Sequence, residues 1–273
     1  MSTKLEAKIN SRVHGVRIGF QTYSLRGLRY EAVVSAMQQV GLGECELWSM
    51  QVEPTRAEVP DIAKWRSTVS LDFFTDVRKK FNQAGIDIYA YNPTFGGPDR
   101  RSAGTAGAPP SPSPAPITDE EIDRIFQMSK ALGAKTINSR VPPERAKRIA
   151  LFAGKYDMVI GIFSLSPDAD LLAMSKYFRY DLDIGDYTRL GNDALKFVQD
   201  NHDQLTDIHL KDCKFKGVSV PFGQGDSHMK EILQFLKKNK SQIRAHIDCD
   251  YPGTGTSVEE VQKCYDYVKA CLA

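Results

Sequence analysis

The chain has 273 residues, 41% hydrophobic and 26% charged, with a formal net charge of +2. That length supports one large domain with its own core, and the near-neutral balance lacks the basic stripe that a nucleic-acid backbone requires. No apolar run approaches the roughly 20 residues of a membrane span, and Met1 to Lys8 has no apolar signal core, so a cytoplasmic protein with no membrane or nucleic-acid partner is expected.

Short apolar runs alternate with helical patterns along the chain. Val16 to Gln21 reads as a first strand and Tyr30 to Val40 as a helix ended by Gly41. Cys45 to Trp48 is a second strand, followed by a helix from Ser70 to Ala84 that Gly85 closes. Ile86 to Tyr91 is the third strand. Thr118 and Glu121 have capping-box spacing and open a helix to Leu132. Thr136 to Asn138 is the fourth strand, with a helix from Glu144 to Ala153. Met158 to Phe163 is the fifth, with a helix from Asp168 to Tyr177. Tyr180 to Ile184 is the sixth, with a helix from Asp193 to Asn201. Thr206 to Leu210 is the seventh, with a helix from Met229 to Lys238. Ala245 to Asp248 is the eighth, and Val258 to Leu272 closes the chain.

Eight strand–helix units predict an α/β fold, a closed (β/α)8 TIM barrel forming a single domain over residues 1–273. An open doubly wound sheet is the alternative. No Gly-x-Gly-x-x-Gly follows the first strand, so no nucleotide cofactor is expected. Gly96 to Pro116 is rich in Gly, Ala, Ser and Pro and reads as a loop insertion, either a lid over the mouth or a part without catalytic role. The five cysteines are scattered and odd in number, which suggests reduced thiols.

Charged two-residue steps recur at strand ends: Glu44-Cys45-Glu46, Asp181-Leu182-Asp183, His209-Leu210-Lys211 and Asp248-Cys249-Asp250. Residues i and i+2 of a strand share a face, so each step aims two polar groups the same way. Asp183, His209 and Asp248 end three consecutive strands and offer oxygen, nitrogen and oxygen donors to Mn²⁺, Mg²⁺, Co²⁺ or Zn²⁺. Alone, each has a plain structural reading as a helix cap or a hydrogen-bonded neighbour; together they suggest a metal centre under a polyhydroxy substrate. Lys211 shares the face of His209 and would stabilise an enediolate, meet a phosphate, or pair with Asp183 or Asp248. Asp212 should face away. Glu46 is a further acid, base or ligand. Trp48 and Tyr91 offer flat faces to a sugar or simply pack. In Phe222-Gly223-Gln224-Gly225-Asp226, Gly223 and Gly225 would let backbone N–H groups approach a ligand.

The stretches Gly19-Phe20-Gln21-Thr22-Tyr23-Ser24, Glu44-Cys45-Glu46-Leu47-Trp48, Leu182-Asp183-Ile184-Gly185, His209-Leu210-Lys211-Asp212, Phe222-Gly223-Gln224-Gly225 and Tyr251-Pro252-Gly253 resemble the sugar phosphate isomerase/epimerase family of xylose isomerase-like barrels. The resemblance runs from about Gly15 to Leu272. It implies a divalent ion held by acidic residues and a histidine, with proton transfer next to a carbonyl, on a small-molecule sugar or sugar phosphate. Relatives often self-associate, which implies a homo-oligomer. Asp183 and His209 match ligand positions, and Asp248 stands where the family has Glu. At the end of the fifth strand, Phe163-Ser164-Leu165 replaces a ligand-type stretch; Asp186 and Gln51 stand where relatives carry His. Apurinic endonuclease relatives share the architecture, but five histidines and near-neutral charge count against them.

The resemblance therefore implies an isomerase or epimerase of ketoses, aldoses or keto-sugars. Asp248 or Glu46 would be the base and Lys211 the oxyanion stabiliser, with Trp48, Tyr91, Gln51, Gly223 and Gly225 about the substrate. A lyase acting on 3-keto-glycosides starts from the same proton abstraction. A non-catalytic sugar-binding barrel is the second alternative, and Phe163 supports it.

Overall fold

The computed structural model describes residues 7–55, 58–59, 61–96, 117–164 and 167–273. Among these, nine strands form one sheet: β1 (Arg12–Val13), β2 (Val16–Gln21), β3 (Glu44–Trp48), β4 (Asp87–Asn92), β5 (Thr136–Ser139), β6 (Val159–Phe163), β7 (Phe178–Asp183), β8 (Leu205–Leu210) and β9 (Arg244–Ile247). From β2 to β9 each strand is parallel to the next, and β9 pairs back onto β2. That last pairing closes the sheet into the expected eight-stranded barrel and rules out an open sheet. β1 folds back antiparallel on β2.

The helices are α1 (Tyr30–Val40), α2 (Ile62–Thr68), α3 (Leu71–Gln83), α4 (Asp119–Ala131), α5 (Pro143–Tyr156), α6 (Ala169–Ala173), α7 (Ile184–Arg189), α8 (Ala194–Asn201), α9 (Met229–Lys238) and α10 (Ser257–Leu272). None is long and apolar enough to cross a membrane. The capping box expected at Thr118 and Glu121 is present, and Gly41 ends α1 with φ +83°, a conformation that side chains disfavour. The helix expected over Asp168 to Tyr177 is shorter. It stops at Ala173, a turn follows, and β7 begins at Phe178, two residues early. Two short helices, α2 and α7, were not legible as separate elements. The insertion beyond Gly96 lies outside the described residues, as does Leu165.

Strand alternation divides the interior in two. Outward-facing Ile18, Phe20, Leu182, Ile208, Leu210, Ala245 and Ile247 are buried between barrel and helices. Inward-facing positions are polar instead: Gln21, Glu46, Asn92, Asn138, Asp181, Asp207, His209 and His246, none more than 6% exposed. Such a layer is stable only if its members satisfy one another. Glycines open the space it needs. A Cβ on Gly19 would collide with the His246 ring, and one on Gly161 with the Asn138 amide.

The segment after β9 carries Asp248 and Asp250 and is tied down by α10. Tyr251 donates from its hydroxyl to Glu260 at 2.9 Å, and Gly255 donates its N–H to the same carboxylate at 2.9 Å. Lys263 pairs with it at 2.7 Å. The Lys263 ammonium, the Gly255 N–H and the Tyr251 hydroxyl hold the Glu260 pKa at about 2. An unfolded Glu titrates near about 4.3. Its stabilising contribution is therefore complete above that value and is lost as pH falls toward 2. The melting temperature of Glu260→Gln should accordingly lie below that of the native chain at neutral pH. In thermal melts across an acid series the gap should close between roughly pH 4.3 and 2; a gap independent of pH would contradict this role.

Candidate functional site

β7, β8 and β9 end side by side, with Asp183 opposite His209 and His209 opposite His246 in the ladder. This register gathers Asp183, His209 and Asp248 at the C-terminal mouth. Each offers a ligand atom, and those atoms lie within 4.8 Å of one another. His209 Nδ1 is 3.9 Å from Asp248 Oδ2. The mouth opens into a cleft of about 460 Å³ whose lining includes Tyr23, Arg140, Phe163, Lys211, Asp186 and Asp250.

His209 is set from below. Its Nε2 lies 3.0 Å from Glu46 Oε2 and 3.2 Å from Asp181 Oδ1. That contact places the Nε2 proton toward the carboxylates and leaves Nδ1 facing the mouth, where it has no hydrogen-bond partner among the described residues. Burial pulls the His209 pKa down, but Asp181, Glu46 and Asp248 outweigh it and raise the pKa well above the ordinary value. Burial alone would raise Glu46; His209 and His246 beside it hold it below the usual carboxylate range. Asp207, deeper in the barrel, is pushed up to about 6 by burial, against the pull of His246.

Lys211 is enclosed among carboxylates, with Nζ 3.2 Å from Asp250, 3.3 Å from Asp186 and 3.5 Å from Asp183. Burial would lower its pKa, yet the surrounding Asp residues raise it well above normal, so it is an ammonium at neutral pH. Gly185 permits this approach, since a Cβ there would come within 2.7 Å of Lys211 Cγ. Burial raises the Asp183 pKa to about 6, with Lys211 opposing and Asp186 and Asp248 adding to the rise. Asp186 goes the other way, lowered because Lys211 and Arg189 outweigh its burial.

The remaining expected residues lie elsewhere. Glu46 is fully buried below the mouth, accepting from Asn92 at 2.7 Å, from Asn138 at 2.6 Å and from Gln21. That position suits orienting His209 rather than meeting a substrate. Tyr91 does not face the mouth. Its neighbour Asn92 points inward, so alternation turns Tyr91 outward, where its hydroxyl donates to Glu53 at 2.6 Å beside Arg66. Gln51 does not reach the mouth either: its amide donates to the Thr22 and Leu25 carbonyls at 2.9 and 3.1 Å, fastening the turn that carries Ser24. The Gly223 and Gly225 amides donate to Asp212 at 2.8 and 2.9 Å, so that loop wraps a carboxylate of its own chain. Trp48 packs edge-on against Tyr23, a residue of the cleft lining, with ring centroids 5.0 Å apart.

Asp207, His246, Asn138 and Arg140 were not singled out in the sequence. The signal was there for two of them: Asp207 and His246 sit two residues before His209 and Asp248, on the same strand faces. Phe163 occupies the end of β6, its ring centroid 5.6 Å from that of His209 and its face 5.2 Å from the Arg140 guanidinium.

The donor set suits a divalent cation. A carboxylate, an imidazole and a second carboxylate converge, the imidazole through a buried Nδ1 with no hydrogen-bond partner among the described residues, whose proton a bound cation would displace, and three protein ligands leave positions for water and substrate. Asp183, His209 and Asp248 are the residues that could hold it.

No protein-family model matches the chain, and no curated protein matches it. Solved structures do. The 3-keto-D-glucoside 4-epimerase YcjR of E. coli aligns over 94% of this chain and 100% of its own, with TM-score 0.64 and 12% identity. A sugar phosphate isomerase/epimerase of Parabacteroides distasonis aligns over 99% and 98%, with TM-score 0.63 and 14% identity. A xylose isomerase domain protein of Alicyclobacillus acidocaldarius aligns over 93% and 99%, with TM-score 0.61 and 12% identity. At these identities the likeness establishes the (β/α)8 barrel fold alone.

Titrating chelator-treated protein with Mn²⁺ or Zn²⁺ in a calorimeter should show one saturable site. Asp183→Asn should abolish it. Glu46→Gln, which loosens His209 without touching the cation, should weaken it by about 10- to 100-fold. Unchanged affinity in both folded variants would place the cation elsewhere.

Proposed function

We propose that this barrel abstracts a proton next to a carbonyl on a sugar or keto-sugar, phosphorylated or not, and so interconverts isomers or epimers. The observation that carries the reading is the convergence of Asp183, His209 and Asp248 within 4.8 Å at one mouth, with the buried Lys211 ammonium beside them. The names of the matching structures lend support.

Asp183, His209 Nδ1 and Asp248 would hold a divalent cation, which when bound polarises adjacent carbonyl and hydroxyl oxygens. Asp248 takes the proton from the carbon next to the carbonyl, and the enolate is quenched by a proton returned to the neighbouring carbon for an isomer or to the opposite face for an epimer. Ser24 steadies it, donating to Asp248 Oδ1 at 3.4 Å while accepting the Cys249 N–H at 2.8 Å. The Lys211 ammonium faces the charge that develops on the enolate oxygen, and Asp186 and Asp250 keep it in place. Tyr23 and Phe163 supply apolar surface to the cleft, and Arg140 a cation for an acidic substituent.

A second reading rests on Phe163. An aromatic ring fills the end of β6 next to His209, where another oxygen donor would complete the cation's shell. A barrel so altered would bind sugars without turning them over.

One experiment separates the readings. Metal-loaded protein is incubated in D2O with a panel of ketoses, aldoses and 3-keto-glycosides and followed by NMR. The isomerase reading predicts deuterium next to the carbonyl, lost in Asp248→Asn and slowed by about 10²- to 10³-fold in Lys211→Met. Release of the aglycone would identify a lyase. Sugar binding with no exchange for any member of the panel would leave the binding barrel standing and overturn the catalytic one.

A further inference from the structure

We propose that the N-terminal face of the barrel, opposite the mouth, carries a site for a small, multiply charged phosphate-bearing anion. This site does not depend on the chemistry at the mouth. Here a cleft of about 560 Å³ opens, within the size range of about 300–1,000 Å³ of small-molecule sites. Its charged lining is Lys8, Arg12, Arg17, Arg78, Lys135 and Arg244 against Glu44 and Asp87, an excess of four positive charges.

Both carboxylates are already engaged. Glu44 pairs with Arg244 at 2.8 Å, and Asp87 with Lys8. Arg244 also lies flat on Tyr89, 3.4 Å from its centroid, so its guanidinium has a fixed plane. Arg12 is held by the Gly15 carbonyl at 2.8 Å and Gln242 at 3.3 Å.

The decisive feature is register. Arg12 is directly opposite Arg17 across β1 and β2, and Arg17 is directly opposite Arg244 across β2 and β9. Like charges in opposed positions destabilise a sheet. Three arginines in one row therefore cost stability that the single carboxylate of Glu44, already paired with Arg244, offsets only in part. Arg17 stands in the middle, half-buried, and its Nε is sealed from water with no hydrogen-bond partner among the described residues. Burial and the charges of Arg244 and Arg12 push its pKa below the ordinary value, and Glu44 and Tyr89 oppose this only in part.

Planar guanidinium forks match phosphate oxygens two at a time. The whole chain carries only +2, so the positive field is local and suits a compact polyanion rather than a nucleic-acid strand. A second cleft shares Tyr89, Lys135 and Arg244 and adds Arg179, which gives room for the rest of a larger phosphorylated molecule.

The test uses inorganic pyrophosphate as probe, titrated calorimetrically into the full chain at physiological ionic strength, with sulfate at matched ionic strength for comparison. The proposal expects one saturable site that prefers pyrophosphate. Arg17→Gln combined with Lys135→Gln should weaken it by about tenfold or more. Arg140→Gln, at the opposite mouth, should leave it unchanged. The melting temperature of the double variant without anion should be no lower than that of the native chain, since a repulsion has been removed. No saturable binding, a loss caused by Arg140→Gln, or undiminished affinity in the double variant would overturn the site.

Discussion

A buried imidazole between two carboxylates sets the geometry of the mouth. His209 Nε2 is 3.0 Å from Glu46 and 3.2 Å from Asp181, and none of the three side chains is solvent-exposed. Both carboxylates lie on the barrel axis side of their strands, so the ring can present only Nδ1 upward. Asp183 and Asp248 flank that nitrogen because β7 and β9 flank β8. Removing one member of such a buried set leaves an uncompensated charge, at a cost of about 3–5 kcal/mol. The network thus couples the stability of the barrel centre to the shape of its functional end.

The same constraint explains why the barrel core is polar. Three carboxylates and two imidazoles at the centre, Glu46, Asp181, Asp207, His209 and His246, must be matched by donors. Asn138 donates to both Glu46 and Asp207, at 2.6 and 2.7 Å, and Asn92 completes Glu46. Hydrophobic stabilisation is left to the outer face of the strands, where Phe20, Ile208 and Ile247 meet the helices. At the mouth the Lys211 ammonium offsets part of the charge of Asp183, Asp186 and Asp250, and Arg189 and Arg26 pair with the latter two.

The fold was legible because periodicity and caps are local signals. Eight apolar runs, the Thr118 capping box and Gly41 each needed only a few neighbouring residues to read. The mouth was legible for the same reason: Asp183, His209 and Asp248 end adjacent strands, and the two-residue step gives their direction. Placement of Tyr91, Gln51, Gly223 and Gly225 was not legible, because their partners Glu53, Thr22 and Asp212 meet them only in three dimensions. Glu46 shows the limit well. Its face was readable, but its depth below the mouth depends on barrel stagger, which one sequence does not display. The arginine row escaped for a like reason, since Arg12, Arg17 and Arg244 become neighbours only when β9 closes onto β2.

The central claim is that His209 Nδ1, Asp183 and Asp248 form one cation centre at the mouth. Anomalous diffraction from crystals of the protein grown with Zn²⁺ tests it most directly. The account predicts a single strong peak about 2.0–2.2 Å from His209 Nδ1 and from carboxylate oxygens of Asp183 and Asp248. A peak lower in the barrel, among Glu46, Asp207 and His246, or none near His209 at all, would contradict it.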